Sequence, residues 1–419
     1  MATTLSPAPP QPPGPFRALR HRNYRLYFTG QLVSLTGSWV QAAALTWLAY
    51  ELTGQSGFTG LVTAAQILPM LGLSVWGGSL ADRWPRRSLI FLAQTGLLAL
   101  ALGLAALVAL DAVTPSRLLA VSLLIGVVNA IDTPARLAFV VDMVGHDDLM
   151  NAVALNSLVF NVARALGPAV GAWLMVRIHL AGCFLINGLT FVALLAALLA
   201  MRLPPRAGPR ARAKDVPLLD GFRHLRNHPT LILLLFLAGS VAFFGWPLLS
   251  LLPAFADRQL DEGSAGYSLM LSAIGAGALL GALVVATFGT PQRRRWILGG
   301  GVTLGAAALA ALAFTRTLPS AALFCGLSGG GLIVFFATGQ ATMQLGAGEH
   351  NRGRVMGIWL MVLSGAQPAG NLIAGAGADR LGVPLMLLVG AAGIGLTSLA
   401  VLGLLAWMRE RPGAEGTPG

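Results

Sequence analysis

The stretch "GGSLADRWPRR", Gly77 to Arg87, sets a carboxylate and three arginines close together in a 419-residue chain that is 11 % charged and 55 % hydrophobic. Apolar runs flank it on both sides, and each is long enough to cross a bilayer, which takes about 20 helical residues. Charge at this density between two such runs marks a loop at a membrane surface. Its arginines place that loop on the cytoplasmic side by the positive-inside rule.

Read outward from this loop, the chain holds twelve runs of the same kind, from 24–50 and 57–80 through 150–173 and 181–200 to 354–376 and 383–407. They predict an all-α integral membrane protein. With the N-terminus in the cytoplasm and the sides alternating, only Arg117, Arg177, Arg258, Arg316 and Arg380 of the 28 Lys and Arg residues fall opposite, and Arg164 lies inside a span. The net charge of +12 therefore sets topology against anionic lipid, and no nucleic-acid partner is expected. Residues 1–23 are Pro-rich and then basic, without the apolar core of a signal peptide, and read as a disordered cytoplasmic tail; 409–419 reads as a second.

The Arg-rich segment 202–229 divides the chain into two six-helix bundles, 24–201 and 230–408. Within it, Leu218 to Arg226 alternates apolar and basic groups as a short helix on the membrane surface would. The loop after the second span carries Arg83, Arg86 and Arg87, and the loop after the eighth carries Arg293, Arg294 and Arg295, a weak symmetry between the halves. Membrane catalysis lacks its parts. The single lysine, Lys214, has no Gly-rich phosphate loop around it, and the six histidines all fall in loops or tails. Cys183 and Cys325 lie in separate spans, so neither a disulfide framework, a metal nor another cofactor is expected. Gradient-driven movement of a small molecule is the function class that remains.

At Gly78, Leu80, Ala81, Asp82, Arg83, Arg86 and Arg87 the loop resembles the signature of the major facilitator superfamily, with Pro85 where the common form has glycine. The stretches "NAIDTPARLAFVVDMV" (Asn129 to Val144), "NAVALNSLVFNVARALGPAVG" (Asn151 to Gly171) and "NRGRVMGIWLMVLSGAQPAGNLIAG" (Asn351 to Gly375) are similar to its drug-efflux branch, which includes the enterobactin exporter and macrolide efflux proteins. The resemblance implies two bundles related by an axis along the membrane normal, with a binding site between them near the midplane. It further implies a bacterial cytoplasmic membrane and export of small amphipathic compounds by alternating access, with protons as the exchanged ion. A monomer in lipid is expected. An uptake or lipid-moving carrier and a non-transporting sensor stay open on the same fold.

The same resemblance implies a latch. Asp82 would reach the start of the eleventh span, "NRGRVMG" with Arg352, Gly353 and Arg354, and the link would form only when the cytoplasmic side is closed. Arg164, deep in the fifth span, is either a structural tie or a substrate contact. Beside it Gly167, Pro168 and Gly171 resemble the superfamily's antiporter motif, with Ala163 and Ala172 in place of two of its glycines.

Asn129, Asp132 and Arg136 share a face of span four; Asp132 is the candidate proton carrier, or else half of a helix-end ion pair with Arg136. Gln31, Ser34, Ser38 and Gln41 form a polar stripe on span one, and Ser364, Gln367 and Asn371 another on span eleven. Such stripes line a cavity or bond a neighbouring helix. Phe243, Trp246 and Trp359 are candidate aromatic walls for a large apolar ligand, or else core packing.

Overall fold

In lipid every backbone N–H and C=O must be paired within the protein, so a chain this apolar crosses as helices. The computed structural model describes residues 16–145, 148–202 and 219–409. Its helices are α1 (Arg22–Thr53), α2 (Ser56–Arg83), α3 (Arg86–Ala109), α4 (Pro115–Val144), α5 (Leu149–Ala200), α6 (Leu219–Arg226), α7 (Pro229–Gly245), α8 (Leu248–Ala254), α9 (Gly263–Phe288), α10 (Arg294–Leu312), α11 (Leu318–Gly346), α12 (Gly348–Leu381) and α13 (Val383–Arg409). Among the described residues, eleven segments are long and apolar enough to span a bilayer. The twelfth crossing is α12, whose 34 residues carry Arg352, Arg354, Asp379 and Arg380 near its ends. The result is an all-α, twelve-crossing protein. Its ends α1 and α13 start and finish on one face, which also carries the arginine-rich loops and is called the basic face below.

Three details correct the expected boundaries. Residues 16–23 are anchored rather than loose: Arg17–Arg20 forms a short 3-10 turn and α1 starts at Arg22. Asp148 holds this entry by an ion pair to Arg17 (2.6 Å) and a hydrogen bond with the His21 ring (2.7 Å), and the Ala18 N–H donates to the Asn151 side chain (2.8 Å). Residues 1–15, 203–218 and 410–419 of the expected tails and linker lie outside the described residues. Secondly, no loop separates the fifth and sixth spans; helix runs through α5 and is broken at His179 alone, with φ 57° and ψ 179°. Thirdly, α12 begins at Gly348, before the expected 354, so the backbone N–H groups of Arg352, Gly353 and Arg354 fall inside its hydrogen-bond ladder rather than among its free donors. The helix expected over Leu218 to Arg226 is α6; His224 within it contacts the Gly346 carbonyl (3.3 Å) and Asn351 (3.1 Å), which seats it on the α11–α12 junction.

Within each half the helices approach at small residues, as association in lipid favours. In α9, a Cβ on Gly281 would sit 2.5 Å from the Gly330 carbonyl of α11. In the first half Gly126 of α4 meets the carbonyls of Ala65 and Gln66, and a Cβ on Gly77 of α2 would overlap the Ala130 carbonyl. Gly78, the glycine of the family-like signature, has nothing within 4 Å of a Cβ built on it. Adjacent glycines thus have different roles. We expect Gly77→Val to lower stability by about 1–3 kcal/mol, since overpacking at a helix crossing forces the backbones apart, and Gly78→Ala to leave it within about 0.5 kcal/mol. Thermal unfolding of the purified variants checks the difference.

Candidate functional site

The halves meet along one seam. Across it α2 packs on α12 and α5 on α9. At the face opposite the basic one, the Asp379 carboxylate at the end of α12 accepts from the backbone N–H groups of Ser56 and Gly57, both at 2.7 Å. Beside it the Tyr50 hydroxyl donates to Asp257 (2.7 Å), and Arg258 donates to the Gly54 carbonyl while its guanidinium lies 5.9 Å from the Tyr50 ring centre. Deeper in, Asn371 donates to Thr63 (3.1 Å), Tyr267 donates to the Ala43 carbonyl (3.1 Å), and the Tyr267 ring stacks on Trp47 at 5.5 Å. Glycines permit this closeness: a Cβ on Gly60 would overlap the Asn371 carbonyl, and one on Gly375 would lie 2.5 Å from the Ser56 carbonyl.

Toward the basic face the two helices of the seam stand free. Built Cβ atoms on Gly72 and Gly78 of α2, and on Gly353, Gly357 and Gly365 of α12, meet nothing within 4 Å. Leu68, Leu71, Leu73 and Trp76 of α2 are exposed, Trp76 to 76 %. From Ser56 to Thr63 the hydrogen-bonded part of α2 covers about 10 Å at ~1.5 Å per residue. The seam is therefore closed at one end and parted at the other.

The polar stripe of α1 divides by burial. Ser34 is buried and donates to Gln94 of α3 at 3.5 Å, and the buried Gln41 accepts from Asn187 of α5 at 2.7 Å. Both serve the first bundle. Gln31 and Ser38 are half-buried, as are Asn129, Gln367 and Ser364 on the other helices of the expected cavity. Asn371 is buried and belongs to the seam. Arg164 is half-buried, with its guanidinium 5.8 Å from the centre of the exposed Phe160 ring, which packs edge-on to Trp39 at 6.1 Å. Gly167 and Gly171 lie against Thr36, Trp39 and Val40 of α1, so they bring α5 close to α1. Side chains of Pro168 and Asp82 lie outside the described residues.

Asp132 faces its own bundle. Its Oδ2 accepts from Arg136 Nε (2.5 Å) and Gln94 Nε2 (3.0 Å), while Oδ1 is buried without a hydrogen-bond partner among the described residues. The helix-end ion pair expected as the alternative is present, within hydrogen-bonding reach of α3. Arg86 donates to the Ala138 carbonyl (2.7 Å) and to Asp142 (3.2 Å), and Arg87 to the Leu199 carbonyl (3.3 Å). These two arginines of the signature tie α3 to the basic ends of α4 and α5; Arg83 is exposed. Arg352 is half-buried, and Arg354 donates to Asn351 at 2.9 Å.

Of the aromatic candidates, Trp359 is 2 % exposed and packs against Gly339, which makes it core rather than cavity wall. Trp246 packs edge-on to Phe336 (5.8 Å), and Phe243 borders an apolar crevice of only about 40 Å³. A cavity of about 510 Å³ lies elsewhere, at the end of the first bundle away from the basic face, lined by Trp47, Glu51, Asp111, Met175, His179 and Ser264 among others. Sequence reasoning missed it because its walls converge on the helix break at His179, which apolar periodicity reads as a plain loop. It also missed Asp379, Asp257 and Tyr50, whose partners lie across the seam and leave no local pattern.

A major facilitator family model described as transmembrane secretion effector matches residues 13–412. The enterobactin exporter EntS of Shigella boydii is 29 % identical over 93 % of this chain and 93 % of its own length. The multidrug efflux pump Tap of Mycobacterium tuberculosis is 26 % identical over 90 % of this chain and 92 % of its own. Among solved structures, a bacterial homologue of the human lysosomal transporter Spinster, in an inward-facing and unoccupied conformation, superposes with a TM-score of 0.74 at 15 % identity, over 95 % of this chain and 99 % of that one.

The Asp132 pair carries a stability prediction. Asp132→Ala strands the Arg136 guanidinium in the bundle and should cost about 3–5 kcal/mol, whereas Asp132→Asn keeps an acceptor for it and should cost less. Equal unfolding temperatures for the two variants would contradict this placement.

Proposed function

The chain belongs to the transmembrane secretion effector family of major facilitator transporters, and on that premise we propose that it exports small amphipathic compounds across a bacterial cytoplasmic membrane in exchange for protons. It is a transporter and not an enzyme. The observation that carries the reading is the seam: α2 and α12 are joined at one end and parted toward the basic face, the arrangement expected of one state in an alternating-access cycle. Rocking about this seam gives alternating access. The arginine distribution supports a cytoplasmic basic face with both termini on that side.

Relatives named for a siderophore and for multiple drugs support a substrate with an apolar body and polar groups. The half-buried side chains of Gln31, Ser38, Asn129, Arg164 and Gln367, with Trp39 and the exposed Phe160, offer such a substrate hydrogen bonds and aromatic surface. Asp132 is the proton carrier in this reading. A proton on its unpartnered Oδ1 leaves the Oδ2 contact to Arg136 in place. Asp82 is the latch of the cytoplasmic face, engaging the start of α12 near Arg352 when that face closes. The chain acts as a monomer among lipids. Substrate and proton must favour opposite states, since a ligand shifts an equilibrium only by its differential affinity.

Inverted vesicles carrying the chain should accumulate a siderophore or a lipophilic dye from a screened panel when their interior is acidified, and a protonophore should abolish the accumulation. Gradient-driven uptake into right-side-out vesicles would contradict export. Asp132→Asn should remove dependence on the pH gradient and keep downhill movement. Asp82→Asn should slow flux about five- to tenfold with substrate binding unchanged, the size of one lost charge–helix contact.

A further inference from the structure

The helices α2 and α12 run antiparallel across the seam, and each ends in the same pattern, Gly-x-x-Ala-Asp-Arg: Gly78 to Arg83 in α2 and Gly375 to Arg380 in α12. An acid in the last turn of a helix opposes the negative end of its own dipole, so neither Asp82 nor Asp379 serves the helix that carries it. For Asp379 the beneficiary is visible. The first N–H groups of α2 have no partner within their helix, and its N-cap residue, Gln55, makes no side-chain capping bond. Asp379 supplies that cap from the other half, one carboxylate oxygen to Ser56 N–H and the other to Gly57 N–H. The glycine at position 57 is part of the device, because a Cβ there would lie 2.7 Å from Asp379 Oδ2.

We propose that Asp379 is a conformational latch that holds the face opposite the basic one closed by capping α2 from α12, and that opening this face is the loss of this cap. The contact is charge-assisted and two-pronged, the stronger class of hydrogen bond. It sits at the rim, where Asp379 itself is exposed, so water can take over both N–H groups when the halves part. That combination suits a contact made and broken once per cycle. The repeated pattern gives each face one acid placed to meet the start of the partner helix. The pairing with Asp82 rests on the alternating-access reading above; the Asp379 contact stands on its own geometry.

The test measures conformation without substrate, on the purified full chain in nanodiscs with Cys183 and Cys325 replaced by Ala. Spin labels at Ser116→Cys and Arg316→Cys report the separation of the halves at the opposite face, and labels at Ser88→Cys and Gln292→Cys report it at the basic face. Asp379→Ala should raise the population with the opposite face open at least about fivefold, with matching shortening of the basic-face distance. Gly57→Val, which displaces the carboxylate without removing its charge, should do the same. Unchanged distance distributions in both variants, each still unfolding cooperatively on heating, would overturn the latch. If instead the distances shift but vesicles export no compound, the export reading falls and the latch stands.

Discussion

The close approach of α2 to α12 is the constraint on which the rest of the structure depends. Two helices from different halves come together at Gly57, Gly60 and Gly375 closely enough that added Cβ atoms would strike backbone carbonyls or the Asp379 carboxylate. In lipid there is no hydrophobic force to drive two apolar helices together, so such backbone contact and a few hydrogen bonds must supply the attraction. Its hydrogen bonds are confined to roughly the first two turns of α2. A join bonded over so short a stretch can be broken and remade; a long interdigitated one would weld the halves together.

Polar residues divide accordingly between two roles. Inside the first bundle, Asp132, paired with Arg136 on its own helix, accepts from Gln94 of α3, Arg86 of α3 bonds Asp142 of α4, and Asp148 before α5 bonds Arg17 and His21 before α1. The pairs of Asp132 and Arg86 are largely buried and costly to break, which stiffens the first bundle. At the seam the charged groups lie near the rim, as in Tyr50 with Asp257 and Asp379 with α2, and the deeper Asn371–Thr63 bond is uncharged. Rigidity within the first half and reversibility between the halves are both written in where charge is buried.

The fold was legible in the sequence because two strong signals agree: runs of bilayer length and arginines sorted to one side. The loop signature from Gly78 to Arg87 added the family. Boundaries were harder wherever helix geometry departs from apolar composition, as at His179, where one residue turns the chain, and at Gly348, where a polar turn continues α12 into the basic face. Site residues were legible only in kind. The stripe on α1 announces helix neighbours of some sort, but which of its members face a bundle and which a cavity depends on rotations that one helix does not encode. Trp359 illustrates this, since an aromatic in a span has the same composition whether it packs on Gly339 or lines a cavity. Asp379 was invisible for a related reason, because its meaning lies in a helix start more than three hundred residues away.

The most direct measurement is labelling of single cysteines along α2 with a membrane-impermeant maleimide, applied to vesicles of each orientation. Leu71→Cys should react when the reagent reaches the basic face, and Thr63→Cys should resist reagent applied to the opposite face. The reverse pattern, with residue 63 reactive from the opposite face and residue 71 protected from the basic one, would contradict a seam closed where Asp379 caps α2.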